Sequence, residues 1–424
     1  MVKAFILAAG EGKRMRPLTE KRPKPMLQVA GKPLLQHTIE ALADAGVEEV
    51  VILTGWRGEK IRKHFGRGAR FGVKIRYITQ DRRNGTGGAV YLARRLMTEH
   101  FIALNGDVLI GRRTAAEMAE RAKKGVATIS AVRSDHPERY GVLEIKEKRK
   151  RRILAGIIEK PDNPPSDLIN AGIYVFPPAV FDAISKTGLS ERGEIEITDS
   201  IGLLIRGEGV GKEDFQIYEI EEGWMDIGYP WDLLEANKMA VQRLSEELGE
   251  EFWSREGKVE DNVHIKGRVR LGKGSVIKSG TYIEGDVVIG ENCDIGPNAY
   301  IRGTTSLGNG CKVGAAAEVK NSVIMNGSKI PHHNYVGDSV IGEGCNLGSG
   351  TKVANLRLDD SHIPVIIEGK RIDTGRRKLG VIMGDNVKTG VNSVIDVGTV
   401  IGSDSFIGPG AKAYGHISSG TKIM

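Results

Sequence analysis

The chain is short of the residue types that several functions require. Its three cysteines, Cys293, Cys311 and Cys345, form no C-x-x-C pair in 424 residues. That excludes a disulfide framework and a cysteine zinc cluster and suits a reducing compartment. Aromatic residues are only 5% of the chain and are not interleaved with its basic runs, so base stacking has no platform and a nucleic-acid partner is not expected. Proline is sparse, 15 residues, and no Gly-X-Y period runs through the sequence, which excludes collagen and Pro-rich low complexity. Long apolar runs are missing too. The first, residues 4–9, stops at GEGKRMR, too short for a secretory apolar region or a membrane span. The expectation is a cytoplasmic protein with no membrane partner.

Glycine is in excess: 56 of 424 residues, about 13%, where ~7% is usual. The glycines must serve as turns, phosphate loops or repeats. The net charge is +7, and much of the excess sits in KEKRKRR (146–152) between two strand-like runs. That placement predicts a solvated hairpin tip rather than a nucleic-acid patch.

Two patterns divide the chain. Residues 1–229 alternate strand and helix signals: KAFILAA, then LLQHTIEALADAG closed by Gly46, then VEEVVILTG, KIRYITQ and FIALNGD. This predicts an α/β domain with a mostly parallel sheet, whose ligands sit at the carboxyl ends of strands. Residues 230–257 form a connecting segment, with one helix expected over 230–253. From 258 to 424 aliphatics recur every six residues: Leu271, Ile277, Ile283, Ile289, Ile295, Ile301, Leu307, Val313 and Val319. After a one-residue slip the register resumes at Ile324 and later at Ile395. A period of six is that of a hexapeptide parallel β-helix. Three hexads make one coil, so residues 18 apart stack, and Cys293 and Cys311 are expected to be small structural residues. The period breaks at length only over 355–380, an excursion of the kind that carries function.

A strand runs into LAAGEGKRMRPLTEKRPKPML (7–27), a glycine loop bearing Arg14, Arg16, Lys21, Arg22 and Lys24. Backbone N–H groups and cations of this kind cradle a polyphosphate. It is not a Walker A loop, and the dinucleotide fingerprint fails at Met15. With QDRRNGTGGA (80–89), NGD (105–107), EKP (159–161), NAG (170–172) and WMDIG (224–228) following in order, the segment up to about 240 resembles the sugar-phosphate nucleotidylyltransferases. In this chain Lys13 stands where that family usually has Thr. The resemblance implies attack of a sugar 1-phosphate on the α-phosphorus of a nucleoside triphosphate. It places Gly10, Arg14 and Lys24 on the triphosphate, and Gln80, Gly85 and Thr86 at the base. Glu159, Asn170 and the Gly141 backbone then hold sugar hydroxyls, Lys160 the sugar phosphate, and Asp107 with Asp226 a Mg²⁺ ion.

On the β-helix, Arg302 and Lys320 are 18 apart and each follows an inward aliphatic. They should stack one coil above the other, and two stacked cations call for an anion between them. GSKIPHHNYVGD (327–338) gathers His332, His333 and Tyr335; a neutral imidazole suits the base that an amine needs before it attacks a thioester. This half resembles the acetyltransferase domain of the bifunctional enzymes that make UDP-N-acetylglucosamine, the archaeal type above all. The resemblance makes His332 the general base, with His333 left open as an alternative. It puts Arg302 and Lys320 on the sugar phosphate, Tyr335 on the phosphate or the sugar, Asn346 and Asn355 on the sugar and the base, and Lys378 of RRKLG on a neighbouring subunit's site or on coenzyme A.

The favoured function is bifunctional: acetylation of glucosamine 1-phosphate by acetyl-coenzyme A, then nucleotidyl transfer from UTP, or dTTP, by a homotrimer. A monofunctional thymidylyl- or uridylyltransferase with a scaffolding β-helix, and a non-catalytic nucleotide-sugar-binding protein, remain alternatives.

Overall fold

The computed structural model describes residues 1–82, 84–248 and 256–424. Arg83 of the QDRRNGTGGA motif and the end of the expected connecting helix lie outside the described residues. Contacts divide the chain into two compact units. One joins Met1–Glu11 to Leu34–Asp226, and the other joins Gly12–Pro33 to Ile227–Met424. The basic loop thus belongs with the C-terminal unit, a grouping that sequence pattern did not anticipate with its boundary at 229.

The first unit is built on a nine-stranded sheet in the order Lys74–Thr79, Glu49–Thr54, Lys3–Ala8, Phe101–Asn105, Leu168–Phe176, Thr128–Arg133, Gln216–Glu219, Arg151–Glu159, Gly141–Lys148. Glu49–Thr54 is buried along its whole length, as a strand covered on both faces must be. The helix Leu34–Asp44 buries Leu34, Leu35, Ile39 and Leu42 along one stripe and ends where Gly46 turns left-handed. The first four strands are parallel. Beyond them the sheet is mixed rather than mostly parallel: Leu168–Phe176 is antiparallel to both its neighbours, while Gln216–Glu219 again runs parallel to Thr128–Arg133. The last two strands form a hairpin, and a two-residue tip can join only antiparallel partners. That tip is Arg149–Lys150, both at positive φ and both exposed, so KEKRKRR is the solvated turn its charges predicted.

In the second unit the hexad aliphatics form one continuous core, from Leu271 to Ala413, inside stacked parallel sheets. This is a left-handed β-helix, and each buried aliphatic adds about 1.5–3 kcal/mol relative to exposure. Ile283, Ile301 and Val319 stack at intervals of 18; Val319 then stacks on Val336, 17 residues on. The slip falls at the corner where Asn321 and then Asp338 take the left-handed conformation. Cys293, Cys311 and Cys345 are buried and free, and burial pushes the Cys345 thiol up to about 12; all three are packing residues. The described part of the connecting helix is Asp232–Leu248. The excursion 355–380 is an ordered arm. It carries the two-stranded hairpin Pro364–Ile367/Lys370–Asp373 and buries Ile363, Val365 and Ile367. No described helix is long and apolar enough to cross a membrane.

Candidate functional site

In the first unit the sequence-predicted residues gather at strand ends. Gly10 follows Lys3–Ala8 and is exposed, and an added Cβ would meet nothing within 4 Å. Gln80 follows Lys74–Thr79, tied by its N–H to the Thr54 carbonyl at 2.8 Å. Gly85 has φ +78, and a Cβ there would lie 2.4 Å from the Ile195 carbonyl oxygen, so no other residue fits. Thr86 is committed within the chain: its Oγ1 accepts the Ile197 N–H at 3.0 Å, at the start of the helix Ile197–Arg206.

Asp107 follows Phe101–Asn105, and Gly106 ties that turn to the Leu7 carbonyl at 2.8 Å. The short strands Val108–Leu109 and Met225–Asp226 pair antiparallel, with Asp226 opposite Val108. Asp226 thus lies one register step from Asp107, and both carboxylates are half-buried. Among the described residues no group of three or more metal-ligating side chains occurs. Two carboxylates, with phosphate and water oxygens completing the shell, are what a hard divalent cation such as Mg²⁺ takes, so the donor set fits.

Gly141 and Glu159 face each other across the hairpin, and a Cβ at Gly141 would stand 3.1 Å from Glu159 Oε1. Burial first, and then repulsion from Glu196, raises the Glu159 carboxyl above the usual range. Lys160 is held at φ +45, its N–H on the Tyr140 carbonyl at 2.9 Å. Asn170 donates to the Tyr174 hydroxyl at 2.7 Å and accepts the Gly172 N–H at 3.0 Å, which locks its amide orientation. Trp224 fixes the same strand by donating Nε1–H to the Ala171 carbonyl at 2.9 Å.

In the second unit the basic loop splits into two kinds of cation. Arg14 is exposed and lies over the Tyr229 ring, 5.3 Å from its centroid. Lys24 is buried, and its charge acts on Asp232, whose carboxylate accepts the N–H groups of Gly228 and Tyr229 at 2.8 and 2.7 Å. Arg22 and Lys21 turn elsewhere. Arg22, only 6% exposed, pairs bidentately with Asp385 at 3.0 and 2.8 Å and meets Glu343 at 2.7 Å. Lys21 meets Asp404 at 2.7 Å. Burying an unpaired guanidinium costs several kcal/mol, so Arg22 has permanent partners in the β-helix. The expectation that these two cations serve a polyphosphate is corrected.

Arg302 and Lys320 stack on neighbouring strands in register, as the interval of 18 predicted. The anion they call for is already present. Arg302 Nε donates to Glu318 at 2.8 Å, and Lys320 Nζ donates to Asp338 at 3.1 Å. Asp338, which the hexad pattern concealed at the slipped corner, is 3% exposed and also accepts from Asn321 and Asn355 at 2.7 and 2.5 Å. The signal for it was the one-residue slip of the repeat, which brings Gly337 rather than the residue 18 positions on into register with Lys320 and leaves Asp338 at the corner. Asn355 donates to the Tyr335 hydroxyl at 3.2 Å. A Cβ at Gly337 would lie 2.6 Å from that hydroxyl and 2.7 Å from Asn355 Nδ2, so glycine makes this meeting possible. Arg302, Lys320, Tyr335 and Asn355 therefore share one face. His332 and His333 sit exposed at the preceding corner, with His333 at φ +57. Asn346 is stacked between Lys329 and Lys388 on a different sheet, away from the Arg302–Lys320 face. Lys378 is exposed on the arm, bridged to Leu356.

Comparison with known proteins agrees with both halves. The nucleotidyl transferase family profile matches residues 3–243, and that of the GMPPB C-terminal domain matches 283–405. A "Bifunctional sugar-1-phosphate nucleotidylyltransferase/acetyltransferase" from Sulfurisphaera tokodaii is 42% identical over 420 residues, covering 99% of both chains. A "Bifunctional protein GlmU" from Methanocaldococcus jannaschii is 41% identical over 420 residues, covering 99% of this chain and 97% of that protein. A solved UDP-glucose pyrophosphorylase complexed with UDP-glucose shares the fold, with TM-score 0.51 and 23% identity over 57% of this chain and 99% of that one.

Proposed function

The chain belongs to the family of bifunctional sugar-1-phosphate nucleotidylyltransferase/acetyltransferases, and from that premise we propose which substrates it takes and which residues serve each transfer. The β-helix acetylates glucosamine 1-phosphate with acetyl-coenzyme A. The α/β half then transfers UMP from UTP to N-acetylglucosamine 1-phosphate, releasing pyrophosphate. The observation that carries this is the full-length similarity to bifunctional relatives, which spans both halves at once. A scaffolding β-helix or a non-catalytic binding protein is not favoured by that span.

In the nucleotidyl transfer a phosphate oxygen of the sugar attacks the α-phosphorus, so the protein positions and neutralises rather than bonding covalently. Gly10, Arg14 and Lys24 take the triphosphate. Gln80 and the Gly85–Thr86 loop take the base, with Thr86 acting through its backbone because its hydroxyl is committed. Glu159 and Asn170 accept and donate to sugar hydroxyls, beside the Gly141 backbone, and Lys160 takes the sugar phosphate. Asp107 and Asp226 would hold Mg²⁺, which neutralises charge on phosphate oxygens when bound.

In the acetyl transfer His332 removes the proton as the amine of glucosamine 1-phosphate attacks the thioester carbonyl, and coenzyme A leaves as the thiol. Arg302, Lys320 and Tyr335 hold the sugar phosphate, and Asn355 holds the sugar. Asn346 lies on another sheet and Lys378 pairs with Leu356 on the arm; in a homotrimer they serve a neighbouring subunit's site or the coenzyme. The setting is cytoplasmic.

One coupled assay tests the assignment: glucosamine 1-phosphate, acetyl-coenzyme A and a panel of nucleoside triphosphates, followed by product masses. UDP-N-acetylglucosamine is the expected product. Nucleotidyl transfer without any acetylated product would overturn the acetyltransferase assignment.

A further inference from the structure

The basic loop is seated on the β-helix at two places. At one end Arg22 joins Asp385 and Glu343, Lys21 joins Asp404, and Glu20 accepts from Ser419 at 2.7 Å. At the other, the Ala30 N–H donates to Asn237 Oδ1 at 2.8 Å, and Asn237 Nδ2 donates to the Thr304 carbonyl at 3.0 Å. Asp385 is itself fixed from both sides. Its Oδ1 accepts the Glu343 N–H at 2.9 Å, and its own N–H donates to Ser403 Oγ at 3.2 Å. Arg22 is two residues from Lys24, and both side chains are buried. A buried guanidinium with a fork-to-fork carboxylate has one geometry. The peptide that carries Lys24 therefore inherits its position from the coil carrying Glu343 and Asp385.

We propose that Arg22 and Asp385 are positioning residues for nucleotidyl transfer: the acetyltransferase β-helix, through this buried pair, holds the loop that presents Lys24 to the triphosphate. Neither residue touches substrate. The inference rests on the roles proposed above for Arg14 and Lys24. It makes one activity depend on a carboxylate in the domain that performs the other. Misplacement of a reacting group by about 1 Å costs on the order of 100-fold in rate, and that is the scale expected for loss of the pair.

The test uses the full chain with Asp385→Asn, which keeps the shape and removes the charge. Uridylyl transfer to N-acetylglucosamine 1-phosphate and acetyl transfer to glucosamine 1-phosphate are measured on the same preparation. The expected result is a fall of about 100-fold in kcat for uridylyl transfer, with the KM for UTP little changed and acetyl transfer within about 2-fold of the unmodified chain. Retained acetyl transfer certifies the fold of the domain that carries the substitution. If both activities fall together, Arg22→Lys decides. A loss confined to uridylyl kcat supports positioning, and a parallel loss of both overturns it. The charge-swapped pair Arg22→Asp with Asp385→Arg should recover part of the uridylyl kcat that Asp385→Asn loses. An unimpaired Asp385→Asn beside an active unmodified chain overturns this inference alone. An unmodified chain that transfers no nucleotidyl group removes the proposed function and this inference with it.

Discussion

Glu159 in the first unit and the Arg302–Lys320 pair in the second are both proposed to grip a sugar 1-phosphate, yet they differ electrostatically. The Glu159 carboxyl is unsettled: burial and Glu196 raise it, against only partial relief from Arg192, Lys160 and Thr198. Arg302 and Lys320 are settled, each on its own carboxylate, Glu318 and Asp338. A ligand hydroxyl donated to Glu159 relieves an existing cost. A phosphate arriving at Arg302 must compete with Glu318, so it gains only the difference between two ion pairs. The first kind of site recognises by filling a deficit and the second by exchange. The same arithmetic separates Arg22 from Arg14 within one loop. Arg22 is buried and paired for good, and Arg14 is exposed over an aromatic ring.

The largest effects should separate the two units. Asp107→Ala or Asp226→Ala is expected to lower uridylyl transfer about 1,000-fold, the scale of losing charge stabilisation in a transition state. Acetyl transfer should be untouched. His332→Ala should do the reverse, at about 1,000-fold for loss of a general base. Separate assays of the two half-reactions read both. A His332→Ala chain that acetylates at the unmodified rate would falsify the base assignment and turn attention to His333.

An intermediate effect sharpens the idea of exchange. Arg302→Ala should raise the KM for glucosamine 1-phosphate about 10-fold, whereas Glu318→Gln should lower it about 3-fold by freeing the guanidinium, in proportion to a surface ion pair of roughly 0–1 kcal/mol. The gain should shrink as salt rises. If Glu318→Gln instead raises KM as much as Arg302→Ala, then Glu318 orients the cation and the exchange picture is wrong.

The smallest effect concerns pH. Ionised, Glu159 offers both oxygens to sugar hydroxyls, and protonation turns one of them into a donor. Because its pKa is raised, it takes up a proton at a higher pH than an ordinary glutamate as the solution is acidified. The KM for N-acetylglucosamine 1-phosphate should therefore climb early on the acid side. Glu196→Gln removes the carboxylate repulsion but leaves the burial, so the acid limb should move down in pH without vanishing. An unmoved limb would show that Glu196 does not act on Glu159.

The six-residue period was readable because each inward aliphatic is a local event: every hexad repeats the same strand and corner, and all of those positions are buried in one core. The stacking of Arg302 on Lys320 followed from the same arithmetic. The ordered motifs likewise single out Gly85, Asp107, Glu159 and Asp226 as candidates, because glycine and carboxylate chemistry at strand ends is written over short spans. What no local span contains is the identity of each charge's partner. Asp385 is 363 residues from Arg22, and Asp404 is 383 from Lys21. Asn346 obeys the repeat yet falls on another sheet because a β-helix coil has three faces. The sequence by itself determined the two architectures and the chemical inventory of each. Only the tertiary structure decided which cations are already neutralised and which remain for a substrate, because charge pairing depends on distance in space and folding alone sets that distance.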